Sequence, residues 1–249
     1  MKLRKSRVIW VTAAAFTLAP IMAGFFMFVL LHPEFAKNAG LLGAKAQIAG
    51  EADWPSYLIL YAQMISVGGI LIFGFIISWI FGREYVDKTV RDLLALPHSR
   101  SFIVAAKFTA ALIVNLVLAA YILSLGLLMG FLMGLPQYST VILYQGIGLI
   151  LTVTVLVSIL STPTAFLASF SGGYLAPLGF VVFTLVLSQI IAAAGFGDYF
   201  PWSIPAIYSG IAGEGSHTGL GPYPLLMVLA TGLVGLLATF LWWLFADHH

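Results

Sequence analysis

Two long stretches of this chain contain no Asp, Glu, Lys or Arg: Phe108 to Gly197 and Gly215 to Ala246. A helix needs about 20 apolar residues to cross the hydrocarbon of a bilayer, so the first stretch is long enough for several crossings. In the whole chain of 249 residues, 61% are hydrophobic and 8% are charged, whereas a soluble domain carries roughly a quarter charged residues. This composition predicts a membrane protein. It excludes a cytoplasmic enzyme, a nucleic-acid-binding protein and a disordered chain.

Six apolar spans can be distinguished. Only helices and closed barrels satisfy their backbone hydrogen bonds in lipid, and these spans are continuously apolar instead of alternating. We therefore predict an all-α polytopic membrane protein forming a single transmembrane domain over 1–249. The first span is interpreted as a retained membrane anchor, because its apolar run exceeds the roughly 7 to 15 residues of a signal-peptide core. The predicted spans are 8–31, 57–81, 102–133, 141–163, 174–194 and 223–246.

The distribution of Lys and Arg predicts the orientation, because basic loops stay in the cytoplasm. With the N-terminus inside, only Lys37 and Lys45 of the eleven basic residues lie outside. Both termini are therefore predicted to be cytoplasmic. Lys107 falls near the cytoplasmic end of the third span, where its side chain can snorkel. The other inner basic residues are Lys2, Arg4, Lys5, Arg7, Arg83, Lys88, Arg91 and Arg100, and the outer acids are Glu34, Glu51, Asp53, Asp198 and Glu214.

Residues 83–97 predict a short amphipathic helix between the second and third spans, with one apolar stripe and two ion pairs at i,i+4 spacing. Pro97 ends this helix, and Ser99 or Ser101 can cap the next one. The segment is either a solvated connector or a helix that transmits force from a soluble partner into both spans. The stripe is Val86, Val90, Leu93 and Leu94, and the pairs are Glu84 with Lys88 and Asp87 with Arg91.

This segment resembles the loop between the second and third helices of ABC type 2 exporter permeases. That loop commonly reads R-E, G-T, a leucine pair, P-x-S-R and then a lysine in the third helix. Two features depart from the family: Lys88 stands where many members have glycine, and the stretch before the first span is short. The form of 87–97 is most similar to the subgroup associated with bacitracin and lantibiotic resistance. The matching residues are Arg83-Glu84-Tyr85, Thr89, Leu93-Leu94, Pro97-His98-Ser99-Arg100 and Lys107.

The resemblance implies that the segment is a coupling helix that docks on an ATP-binding cassette subunit. It also implies a second permease copy or a homologous permease as partner, with lipid around the pair and no nucleic acid. The sequence contains no G-x-x-x-x-G-K-[ST] motif, so we expect ATP and magnesium on the partner and no cofactor, metal or enzymatic activity on this chain. The implied coupling residues are Arg83, Glu84, Tyr85, Asp87, Lys88, Thr89, Arg91, Asp92, Leu93, Leu94, Pro97 and Arg100.

Two further groups are candidates for a role in transport. Four polar residues within the spans could line a translocation path or join helices by hydrogen bonds: Gln63, Asn115, Gln145 and Gln189. The outer segment 195–222 is rich in aromatic residues and proline. It is interpreted as an interfacial belt or, from the resemblance, as short helices that re-enter the outer leaflet. Its prominent residues are Tyr199, Phe200, Pro201, Trp202, Pro205 and Tyr208.

The function predicted from these features is the permease subunit of an ATP-driven exporter that expels, or confers resistance to, an amphipathic peptide antibiotic. Export of another lipid-like substrate and a sensing role are alternatives within the same class. A six-span substrate-capture subunit of an importer and an intramembrane enzyme are alternatives from other classes. Gly215-Ser216-His217 is the one segment that suggests an enzyme, but a turn in a glycine-rich loop explains it more simply.

Overall fold

The computed structural model describes residues 7–32, 34–35, 51–95, 97–211 and 221–246. Within these ranges the chain is helical and contains no β-strand. Six helical stretches are long and apolar enough to cross a membrane, which confirms the predicted all-α fold and the number of spans. They are called the first to sixth spans below: Trp10–Leu31, Trp54–Val86, Arg100–Leu132, Thr140–Phe170, Leu175–Ala193 and Pro222–Phe245.

Local sequence explains where the second and third spans begin. The carboxylate of Asp53 accepts a hydrogen bond from the backbone N–H of Ser56 at 2.9 Å, and proline occupies the first turn of the helix that follows. Both features stabilise a helix N-terminus. The hydroxyl of Ser99 accepts from the N–H of Phe102 at 3.2 Å, so of the two predicted candidates, Ser99 and Ser101, it is Ser99 that caps the third span.

Two spans are divided into shorter helices. The first span is shared between the helices Arg7–Phe16 and Leu18–Leu31. The fourth extends beyond the predicted end at residue 163, because the helix Thr140–Leu160 is followed directly by Pro163–Phe170. Proline lacks an N–H, but the first turn of a new helix does not need that donor, so Pro163 begins a helix at the position where the predicted span ended.

The second span is the central helix of the bundle. In its most hydrophobic stretch of 18 residues, 61% of the residues are buried. The corresponding stretches of the other five spans are 22–33% buried. It packs against the first, third, fourth and fifth spans. Since protein surrounds it on most sides, buried residues follow its whole length, from Trp54 to Gly82.

The alternating directions of the spans give the bundle two ends. At the first end, the loop 83–99 lies beside the turn between the fourth and fifth spans: a Cβ added to Gly82 would lie 2.6 Å from the carbonyl oxygen of Gly173. The last turn of the sixth span is at the same end, because the Arg100 guanidinium donates to the carbonyl of Leu244 at 3.1 Å. We call it the charged end.

At the opposite end, which we call the aromatic end, rings of the second span lie directly on the backbone of the third. The hydroxyl of Tyr57 donates to the carbonyl of Gly126 at 2.7 Å, and that of Tyr61 donates to the carbonyl of Ile122. A Cβ on Gly126 would lie 2.7 Å from the Tyr61 ring, and one on Gly130 would lie 2.6 Å from the Trp54 ring. The two glycines therefore make this close approach possible.

The segment after the fifth span also lies at the aromatic end. It forms two 3-10 turns, Gly197–Tyr199 and Pro201–Ser203, and the short helix Ile204–Tyr208. The Ser203 hydroxyl donates to the carbonyl of Ser188 in the fifth span at 3.0 Å, and both side chains are buried. Among the predicted residues, Pro205 is buried, Phe200, Pro201, Trp202 and Tyr208 are half-buried, and Tyr199 is exposed.

Several residues used in the sequence predictions lie outside the described ranges. They are Lys2, Arg4, Lys5, Lys37, Lys45, Glu214 and Gly215-Ser216-His217.

Candidate functional site

The loop at the charged end is not the single helix over 83–97 that the sequence predicted. The second span ends at Val86, and a separate helix, Val90–Leu94, begins after a break; we call it the loop helix. At the break Lys88 has a φ of +56°. The N–H of Thr89 donates to the carbonyl of Glu84 at 2.8 Å, and the N–H of Lys88 donates to that of Tyr85 at 3.2 Å. This is the Schellman arrangement that ends many helices.

The Schellman arrangement gives a physical reason for the departure from the family pattern at residue 88. Its left-handed position favours glycine, which has no Cβ to clash with the neighbouring backbone. In the loops that this one resembles, glycine is common at that position. Lys88 therefore adopts a conformation that a glycine would adopt without strain.

Because the helix breaks, the predicted i,i+4 pairs do not form. The Arg83 Nε lies 3.2 Å from the Asp87 Oδ2 within the last turn of the second span. Glu84 pairs with Lys107 of the third span. The side chains of Lys88 and Arg91 are exposed.

The apolar stripe is divided in the same way. Val86 is 47% exposed, whereas Val90 is 7% exposed and Leu93 packs against the core of the bundle. The side chain of Leu94 lies outside the described part of the structure. The loop helix thus packs one apolar side, with Val90 and Leu93, against the bundle. Val86, at the end of the second span, is not part of that side and stays exposed.

Lys107 binds to protein groups instead of reaching water by snorkelling. Its side chain is buried, and its Nζ donates to the carbonyl of Ile80 at 2.8 Å and to the carboxylate of Glu84. The same Nζ lies 5.2 Å and 5.3 Å from the ring centroids of Phe81 and Trp243. Such pairing is required of a cation in a dry environment. It ties the start of the loop to the third and sixth spans.

Aromatic and hydroxyl groups surround this ion pair. The ring of Tyr85 packs edge-on against Trp243 with centroids 6.1 Å apart. The indole Nε1 of Trp243 donates to the Ser169 hydroxyl, at 2.9 Å, near the end of the fourth span. We call Glu84, Tyr85, Lys107, Ser169 and Trp243 the Lys107 cluster. It joins the second, third, fourth and sixth spans directly beneath the loop.

Sequence reasoning missed Ser169 and Trp243. The available signal for Trp243 was its place in the last turn of the sixth span, at the same predicted membrane depth as Lys107.

Arg100 was expected to contact a partner. In the structure its guanidinium instead donates hydrogen bonds to two carbonyls of the sixth span, those of Trp243 at 3.4 Å and Leu244 at 3.1 Å. A cation there stabilises a helix C-terminus.

The remaining predicted coupling residues divide into a supported base and an open face. Arg83, Glu84, Tyr85 and Leu93 are half-buried and form the base. The open face carries charges of both signs next to each other. Its exposed residues are Asp87, Lys88, Thr89, Arg91, Asp92 and Pro97.

The four polar residues predicted to line a path do not share one site. Asn115 is 1% exposed and lines a cavity of about 290 Å³ between the second, third, fourth and sixth spans. Gln63 is half-buried in the second span and does not line this cavity. Gln145 and Gln189 have exposed side chains on the fourth and fifth spans.

The six spans and the supported charged loop together define a multi-pass helical membrane protein. A family model described as "ABC-2 family transporter protein" matches residues 1–188, and the chain belongs to that family. It is also similar to the bacitracin transport permease protein BCRB of Bacillus licheniformis, with 25% identity over 210 residues that cover 81% of this chain and 100% of the relative. No solved structure shows significant similarity to it.

These matches confirm the resemblance to ABC type 2 permeases and to their bacitracin-related subgroup. The chain is therefore the membrane subunit of an ABC transporter.

Proposed function

We propose that this chain is the permease subunit of an ATP-driven exporter in the bacterial plasma membrane, with both termini in the cytoplasm. The bias of basic residues toward the N-terminus and the loop 83–100 supports this orientation. The spatial arrangement agrees with it, because the loop, the turn after the fourth span and the end of the sixth span lie at one end of the bundle.

The open face of the loop docks on an ATP-binding cassette subunit, which carries the ATP, the magnesium and the hydrolytic activity. The observation that carries this proposal is the exposed pair Arg91 and Asp92 on a loop helix whose other side packs on the bundle. If the partner bound only a flexible connector, the loop would absorb the partner's motion and the spans would not move. Here the Lys107 cluster passes a displacement of the loop into four spans.

Two permease chains, identical or homologous, enclose the substrate path, and closure of the two ATP-binding subunits alternates access to it. The substrate class is an amphipathic peptide antibiotic. The support for this class is the similarity to a bacitracin transport permease.

Docking is tested by co-purification of the full chain with its ATP-binding subunit from membranes. The double variant Arg91→Ala, Asp92→Ala removes the two charges of the loop helix and leaves the Lys107 cluster intact. We expect binding to weaken by about tenfold or more. The control is Asp198→Ala, an exposed acid at the aromatic end that should leave binding unchanged. Equal binding by both variants would contradict docking at the loop.

The substrate class is tested in a sensitive bacterial host that expresses the chain together with its ATP-binding subunit. We expect the host to survive higher concentrations of bacitracin, and a catalytically inactive ATP-binding subunit to abolish the gain. If the complex hydrolyses ATP but resistance does not change, the transporter class stands and the peptide substrate is wrong.

A further inference from the structure

The cavity beside Asn115 is apolar, uncharged and open toward the lipid side of the bundle. Its volume of about 290 Å³ is at the lower end of the range of small-molecule sites. None of the residues that line it is ionisable. Three of them, Leu112, Leu116 and Val155, are 47–50% exposed on the third and fourth spans. This lining fits a ligand that enters from the membrane and presents an apolar, neutral body.

One residue that lines this cavity has an unpaired acceptor. The hydroxyls that line it already donate to backbone carbonyls: Thr109 to Ala105, Ser158 to Thr154, and Thr162 to Ile159 and Gly232. In contrast, the Asn115 Oδ1 is buried without a hydrogen-bond partner in the described part of the chain. An unsatisfied carbonyl in an apolar environment is costly, so the site favours a ligand that supplies a donor.

The depth of Asn115 restricts the kind of donor. It lies midway along the third span, roughly 22 Å from Arg100 at 1.5 Å per residue, in a helix of 33 residues. The hydrocarbon is about 30 Å thick, so this position is far from the polar headgroups. A phospholipid tail has no donor at that depth. A neutral hydroxyl on an apolar chain can be placed there.

We propose that this cavity is a binding site for a neutral lipid alcohol, a single apolar chain whose hydroxyl donates to the Asn115 Oδ1. The chain occupies the space between the third and fourth spans, next to the division of the fourth span at Pro163. The proposal concerns this chain alone and does not depend on ATP-driven export.

The test uses the full chain in phosphatidylcholine nanodiscs and a long-chain alcohol with a photoreactive diazirine in its tail. Cross-linked peptides are identified by mass spectrometry. We expect labelling on the third and fourth spans, and we expect dodecan-1-ol to compete about tenfold better than methyl dodecyl ether, which lacks the donor. Equal competition by alcohol and ether, or labelling spread evenly around the bundle, would overturn the proposal.

Two variants with matched controls separate the polar contact from the cavity itself. Asn115→Leu should keep the labelling and lose the preference for alcohol over ether, while Ser124→Leu, at an exposed serine of the same span, keeps both. Ser158→Leu fills the cavity and should abolish the labelling, while Thr152→Leu, at a half-buried threonine of the fourth span that does not line the cavity, preserves it. If Ser158→Leu is labelled to the same extent as the unmodified chain, the cavity is not the site. This conclusion holds even if Asn115→Leu is unstable.

Discussion

The two ends of the bundle join the second and third spans by different means. At the aromatic end, the neutral hydroxyls of Tyr57 and Tyr61 donate to backbone carbonyls, and rings pack on Gly126 and Gly130. At the charged end, the connection is the ion pair between Glu84 and Lys107, and a helix break follows within a few residues.

The difference suggests a division of roles. A contact between a ring and a glycine backbone tolerates little displacement, because protein interiors are close-packed. An ion pair at a helix end can move as a unit while its partners stay together. We interpret the aromatic end as the fixed end of the bundle and the charged end as the end that responds to a partner. Substitutions at both ends of the bundle test that contrast.

Lys107→Met should be the most destabilising change. It leaves the Glu84 carboxylate and the Ile80 carbonyl without their partner, and breaking a buried pair costs about 3 kcal/mol. Thermal unfolding of the purified chain in detergent measures the loss. The double variant Glu84→Gln, Lys107→Met should recover much of the stability, since no carboxylate then remains unpaired. A double variant less stable than Lys107→Met would show that the pair is not the source of the effect.

Gly126→Ala should destabilise the aromatic end by about 2 kcal/mol, because its Cβ would lie 2.7 Å from the Tyr61 ring and overpacking of this kind costs about 1–3 kcal/mol. Gly148→Ala is the matched control: the space around a Cβ at Gly148 is open among the described residues, and alanine favours the helix. The same unfolding assay compares the two. Equal effects would refute the close ring contact.

Lys88→Gly should stabilise the chain by about 1 kcal/mol, since it removes the cost of a side chain at a φ of +56°. Lys88→Ala removes the same charge and keeps a Cβ, so it separates the backbone effect from electrostatics. The expected order of unfolding temperatures is Lys88→Gly above Lys88→Ala. The reverse order would contradict the left-handed conformation at this residue.

Tyr57→Phe should have the smallest effect, about 0.6 kcal/mol, which is typical of one hydrogen bond between membrane helices. It removes the donor to the Gly126 carbonyl and leaves the ring in place. Tyr144→Phe, at a side chain that is 75% exposed, should be neutral in the same assay. A loss in Tyr57→Phe no larger than in this control would mean that the ring alone holds the aromatic end.

The sequence was sufficient for the six spans because the requirement of lipid for long apolar helices is local and strong. It also limited the cap of the third span to Ser99 or Ser101, and Ser99 forms that cap with a neighbour three residues away. It failed at Lys88, because lysine is not a usual left-handed residue and the apolar period continued across the break. The only signal was the glycine that related loops carry at that position.

The contacts that support the loop could not be predicted for a different reason. Glu84 and Lys107 are 23 residues apart, and Trp243 meets Ser169 across 74 residues. Such pairs depend on how whole helices pack, which periodicity does not report. Their types were informative nonetheless, because a lone lysine within an apolar span either snorkels to the interface or is paired with another group.

We have proposed that the Lys107 cluster transmits the state of the ATP-binding subunit into the spans. The most direct measurement is ATP turnover by the complex reconstituted in vesicles, with and without transported substrate, for the double variant Glu84→Gln, Lys107→Met. That variant keeps Arg91 and Asp92, so the complex should assemble as before, while stimulation of turnover by substrate should fall about fivefold or more. Normal assembly with unchanged stimulation would contradict the claim.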